Sequence, residues 1–189
     1  MDKIQSTRDL IKIAVGLPER KGPRPSTICG PLHVQCADNQ DHRHLRMLID
    51  DVVSWPGVSV EPLSGGNSNS MSITLAAEFT SDRSGSLISG TEFGRVLIAS
   101  PTVYLALPLI CAHYAMIKGW AEPHFSGRFG MMPPGVMVVY VPRNTAEVSV
   151  CRLLFWISYH FCRRGLGEDW IELSQADTTL TSSETANIS

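Results

Sequence analysis

Apolar positions change period along this chain, and the changes mark its elements. Leu10, Ile11, Ala14 and Val15 fall on one side of a helix expected from about Ser6 to Val15, with Gly16 as its stop. Four prolines between Leu17 and Pro31 predict an extended run over the surface, followed by a short strand at Leu32 to Gln35. Asp41 is the expected cap of a second helix, in which Leu45, Leu48, Ile49, Val52 and Val53 recur at intervals of three and four before Trp55-Pro56-Gly57 ends it. Strands are expected at Val58 to Pro62, Met71 to Phe79, Phe93 to Ala99 and Thr102 to Leu107. The polar stretch Ser64 to Ser70 and the Ser/Gly-rich segment Ser81 to Gly90 read as connections.

Leu109 to Lys118 is predicted as a short helix closed by Gly119, and Val136 to Val141 as a continuously apolar strand inside a sheet. The clearest element follows. Asn144 caps it, Glu147 sits three residues on, and Val148, Cys151, Leu154, Phe155, Ser158 and Phe161 keep helical spacing toward Gly165. The Ser/Thr-rich stretch Ser174 to Ser189 has few large apolar residues and is expected to be disordered. This order predicts one α+β domain over residues 1–173, a mainly antiparallel sheet with helices packed mostly on one face.

From Arg95 to Lys118 no charged residue intervenes, a length that could cross a bilayer. Pro101 and Pro108 interrupt it, so a buried hairpin feeding a core helix is the expected arrangement, with no membrane span. Among 189 residues, 43% are hydrophobic and 18% charged, and the net charge is −2. The basic clusters, Arg20-Lys21-Gly22-Pro23-Arg24 and Arg163-Arg164, are short and lie in or beside turns, so no nucleic-acid partner is expected. Five cysteines, with no Cys-x-x-Cys pair and no secretory signal, fit free thiols in the reducing cytoplasm. Cys111, Cys151 and Cys162 lie in apolar helical contexts and are read as small hydrophobes.

Known chemical templates fail. His33, His42 and His44 lie near Cys29 and Cys36, but the spacing is not that of a structural zinc site, so no metal is expected. Gly-x-Ser-x-Gly, His-Glu-x-x-His and the dinucleotide glycine fingerprint are all missing, and no cofactor is expected. What remains is the loop expected from Trp120 to Arg128. His124 is placed there as general acid or base, Glu122 as the group that holds its tautomer, and Trp120 as an apolar wall, with Tyr140 and Arg143 returning on the next strand. The alternative is structural: Glu122 pairs with Arg143, and His124 satisfies loop carbonyls.

Gly119-Trp120-Ala121-Glu122-Pro123-His124, the strand Val138 to Arg143 and the cap Asn144 to Glu147 together resemble the fungal and bacterial family labelled "luciferase domain", or domain of unknown function 5519. Leu17-Pro18-Glu19-Arg20-Lys21-Gly22-Pro23-Arg24-Pro25 resembles the Pro-rich segment of that family, so the likeness spans about Leu17 to Gly165. The family pattern has a His-Val-His strand and a third histidine on the next strand. Those positions fall here on Arg95, Leu97 and Tyr104, so the chain resembles a divergent member that lacks the histidine cluster.

Two functions follow from the resemblance. In the first, the pocket between the sheet and the Trp120 to His124 loop carries out cofactor-independent cyclisation, isomerisation or dehydration of an apolar small molecule in a fungal secondary-metabolite pathway. Tyr104 and Arg95 would stabilise an oxyanion, His124 and Glu122 would handle the proton, and Trp120, Leu97, Tyr140 and Arg143 would line the substrate. In the second, catalysis is lost and the protein is a ligand-binding or accessory protein. A homodimer is compatible with either.

Overall fold

The computed structural model describes residues 6–28, 34–35, 42–62, 70–81, 86–98 and 100–163. Cys29, His33, Cys36, the Asp41 cap and the Ser/Thr-rich stretch of the sequence analysis lie outside the described residues. Helix α1 spans Thr7–Val15, its start fixed by the Asp9 carboxylate, which accepts the Ser6 backbone N–H at 3.2 Å. Strand β1 (Thr27–Ile28), inside the Pro-rich run, pairs antiparallel with β2 (Val34–Gln35), where only β2 was expected. Helix α2 covers Arg43–Val53 and buries Leu45, Leu48, Ile49 and Val52, as its spacing predicts.

Six strands make the main sheet: β3 (Val58–Pro62), β4 (Ser70–Leu75), β5 (Glu92–Leu97), β6 (Thr102–Ala106), β7 (Ala121–Pro123) and β8 (Val136–Val139). Their order is β3-β4-β5-β6-β8-β7, every pair antiparallel. The fold is α+β. Helices α3 (Leu109–Ile117) and α4 (Thr145–Cys162) complete it, α3 ending where Gly119 takes a left-handed φ of 79°.

Two expectations need correction. The strand predicted from Met71 to Phe79 stops at Leu75 and gives way to a short 3-10 helix at Ala77–Phe79. The loop predicted from Trp120 to Arg128 is instead edge strand β7 followed by a 3-10 helix at Phe125–Phe129, which makes β8 an inner strand.

One face of the sheet and the helices share a single core that includes Leu10, Leu48, Val52, Ile73, Phe93, Leu105, Val139, Leu154 and Phe155. Helix α4 comes close because Gly94 has no side chain: a Cβ there would lie 3.1 Å from Leu105 Cδ2 and 3.4 Å from Phe155 Cε1. Ser158 completes the contact, its hydroxyl lying 2.7 Å from the Ala106 carbonyl and 3.1 Å from that of Phe93. Cys111, Cys151 and Cys162 are buried thiols, and burial pushes Cys111 and Cys151 up to about 12, so both stay protonated. Among the described residues, no helix is long and apolar enough to cross a membrane.

Candidate functional site

Register gathers several predicted residues on the sheet face turned away from the helices. Arg95 pairs with Tyr104, Tyr104 with Val138, and Val138 with Glu122, forming one row across β5, β6, β8 and β7. His124 prolongs β7, its N–H donating to the Val136 carbonyl at 3.1 Å. Its ring stands edge-on to Tyr104 with centroids 4.8 Å apart. Leu97, Tyr104, Ala106, Val136 and Val138 belong to the apolar cluster of this face.

A β-bulge adds a residue that the sequence reading missed. Ile73 pairs with Gly94 but Thr74 pairs with Glu92, so Phe93 is the extra residue, and Glu92 and Arg95 share a face although three apart. They form a bidentate pair, Arg95 Nε to Glu92 Oε1 at 2.7 Å and Nη2 to Oε2 at 2.6 Å, with side chains 15% and 5% exposed. The hydrogen bonds that Arg95 donates to Glu92 raise its guanidinium pKa against the opposing effect of burial, so this cation is already paired with its neighbour's charge. No alternation or spacing rule announces such a pair, because the bulge creates it.

The remaining groups are donors. Burial pushes the Tyr104 phenol up to about 12, partly offset by Arg95, so it remains O–H near neutral pH. His124 Nδ1 accepts the Ser126 N–H at 3.1 Å, which leaves the proton of the neutral ring on Nε2. The tautomer is thus set by a 3-10 backbone amide, the task assigned to Glu122 in the sequence reading. The Tyr104 phenol, held protonated, can donate to a carbonyl but is not a base near neutral pH.

Trp120, Glu122, Tyr140 and Arg143 belong to a second cluster. Trp120 Nε1 donates to the Pro18 carbonyl at 2.6 Å, and the Tyr140 hydroxyl donates to Glu122 Oε2 at 3.0 Å. Burial foremost, then Glu122, pushes Tyr140 up to about 12. Arg20, read as part of a surface charge run, is buried at 3% side-chain exposure. Its guanidinium carbon lies 5.7 Å from the Trp120 ring centroid and 5.3 Å from that of Tyr140, and its Nη2 donates to Glu147 Oε2 at 3.2 Å. Arg143 pairs with Glu147, where the structural alternative joined it to Glu122, and Arg143 Nη2 also donates to the Lys21 carbonyl. Residues 17–25, 119–124 and 138–147 thus meet in one clamp.

The expected pocket between the sheet and Trp120 to His124 is filled by side chains: Trp120, His124 and Tyr104 are 3%, 2% and 0% exposed. A cavity of about 350 Å³ lies elsewhere, between α2 and the helix-side face of β3, β4 and β5. Leu45, Ile49, Val53, Val60, Val96 and Ile98 give it apolar walls, and Met71 also lines it. Its polar members, His42, Arg46 and Asp50, all come from α2 and the residue before it. The sequence signal was present as the apolar stripe of α2, which was read as core alone.

Comparison with protein-family models, curated proteins and solved structures finds no match for this chain. Among the described residues, no group of three or more His, Cys, Asp or Glu side chains is placed to hold a metal ion.

Proposed function

We propose that the protein binds an apolar small molecule in the cavity beneath α2 and that it acts as a ligand-binding or accessory protein. The observation that carries this reading is the cavity itself: it has the size of a small-ligand site and apolar walls, with a few polar groups drawn from one element. The buried residues nominated for catalysis hold each other in place instead. Titration with 1-octanol, followed by ligand-observed NMR, is expected to give saturable one-to-one binding. Val53 lines the cavity and is 39% exposed, so Val53→Trp can fill the site with little penalty to folding and is expected to abolish binding. Octanol binding that is non-saturable, or unchanged by Val53→Trp, rejects the proposal.

A second reading, a cofactor-independent cyclase, isomerase or dehydratase, is favoured by one observation: Arg95, Tyr104 and His124, nominated from separate segments, share a face, two of them in ring contact. Here the two neutral donors would stabilise an oxyanion. Tyr104→Phe keeps the ring against His124 and removes only the hydroxyl. That variant is expected to cut turnover of a cognate substrate by about 10²–10³-fold with the thermal melt nearly intact. Loss of folding, or unchanged turnover, assigns Tyr104 to structure.

A further inference from the structure

Phe129 and Met131 are the two most exposed large apolar side chains among the described residues, at 62% and 67%, and they sit two positions apart. The 3-10 helix Phe125–Phe129 ends at Gly130, whose left-handed φ of 69° turns the chain back between them. A Cβ on Gly130 would meet nothing within 4 Å, so the turn projects into open space. Its base is firm. The rings of Phe125 and Phe129 lie 4.9 Å apart, Met132 packs on the apolar cluster of the sheet face turned away from the helices, and the Leu107 N–H donates to the Gly135 carbonyl at 2.9 Å. Leu109, also exposed, begins α3 two residues beyond that contact and so adds to the same end of the sheet. Exposed apolar groups gathered in this way mark a contact surface.

The hydrogen bonding of the tip indicates what it contacts. Across the turn the backbone N–H groups of Ser126, Gly127, Gly130 and Met131 donate to His124 Nδ1 and to the carbonyls of His124, Gly127 and Ser126 respectively. Pro133 and Pro134 have no N–H to satisfy, and the Val136 N–H returns to the Pro133 carbonyl at 3.0 Å. Hydrocarbon offers no hydrogen bonds, so backbone enters it at low cost only where its donors are already bonded within the chain. A protein partner imposes no such condition. The charged residues from Pro123 to Ala146 are Arg128 and Arg143, with no Asp or Glu, so the tip carries no carboxylate toward lipid phosphates. We infer that this tip contacts lipid, with Phe129 and Met131 inserted into the interfacial layer of a phospholipid membrane while the sheet stays in water. The chain lies on the surface and does not cross it, and two apolar side chains make the attachment weak and reversible.

Co-sedimentation of the full chain with phosphatidylcholine vesicles tests the inference. The protein is expected to pellet in proportion to lipid. Met131→Glu is expected to raise the lipid concentration at half-binding about tenfold or more, the effect of withdrawing one buried apolar side chain. Phe129→Ser should act in the same direction. Ile117, 51% exposed at the far end of α3, is the control, and Ile117→Glu should leave binding unchanged. All three positions are exposed, so the thermal melts should match that of the parent chain. Failure to pellet with vesicles, binding unaffected by both tip variants, or equal weakening by Ile117→Glu overturns the assignment. A dimer in sedimentation velocity that Met131→Glu splits, without vesicle binding, gives the tip to a second copy and overturns it as well.

Discussion

Glu147→Ala is expected to destabilise the protein by about 3–5 kcal/mol, the range for removing one partner of a buried ion pair. The Glu147 side chain is 9% exposed and holds two arginines, Arg20 and Arg143. It accepts the Arg143 backbone N–H at 3.0 Å and Arg143 Nε at 2.9 Å, takes a further bond from Arg143 Nη2, and holds Arg20 at 3.2 Å. Without it, Arg20 keeps a full charge between two aromatic rings, with its Nε and Nη1 already lacking hydrogen-bond partners. Urea unfolding should show the loss as a lower midpoint at unchanged slope. The double variant Arg20→Met with Glu147→Leu should recover much of it, because no charge is then buried. A loss below about 1 kcal/mol would place the pair with ordinary surface ion pairs.

The same carboxylate sets an acid limit. Burial pushes Glu147 up, but hydrogen bonds from Arg143 and the charge of Arg20 overcome burial and leave it below its ordinary value of 4.5. A depressed carboxylate stabilises the fold above its unfolded pKa, and that stability is lost as pH falls through the folded pKa. The added acid sensitivity therefore lies below about pH 4.5 and should disappear in the double variant.

Glu92→Ala is the second large effect, about 3 kcal/mol, since it strands the Arg95 guanidinium at 15% exposure beside Tyr104. Replacing both partners with leucine should restore much of the melting temperature. That double variant also separates the functional readings: octanol binding beneath α2 should persist, because the pair lies on the opposite face of the sheet. Octanol binding that disappeared with the melt restored would place the ligand site on the wrong face.

The sequence was most legible where one short-range rule acts alone. Helix α4 followed from its Asn144 cap, whose side chain does accept the Glu147 N–H at 3.0 Å, and from its apolar spacing. Strand β8 was recognisable from four consecutive buried apolar residues. Strand β7 was not, because Ala121-Glu122-Pro123 has no alternation to read, and Pro123 is tolerated only because the strand lies at the sheet edge. The overlong strand from Met71 arose from reading Phe79 as continuous with Leu75, whereas the chain turns at Ala76 and Phe79 packs near Gly57. Arg95 and Tyr104 were nominated through the family resemblance as residues of adjacent strands, and their direct pairing across β5 and β6 came only with the register of the sheet. The burial of Arg20 was hidden, since local composition cannot show that Trp120, Tyr140 and Glu147 close over a charge run more than a hundred residues earlier.

That separation affects how the chain is assembled. Arg20 and Glu147 are 127 residues apart. At synthesis rates of about 5–20 residues per second, the segment from Leu17 to Arg20 waits roughly 6–25 s for its partner to be made. During that interval the apolar side of α1, with Leu10, Ala14 and Leu17, is without much of its final cover. The guanidinium beside it has no carboxylate partner at that stage. Only when α4 emerges can the same group give up its water, because only then is Glu147 there to take its charge, so the clamp is among the last contacts that the growing chain can close.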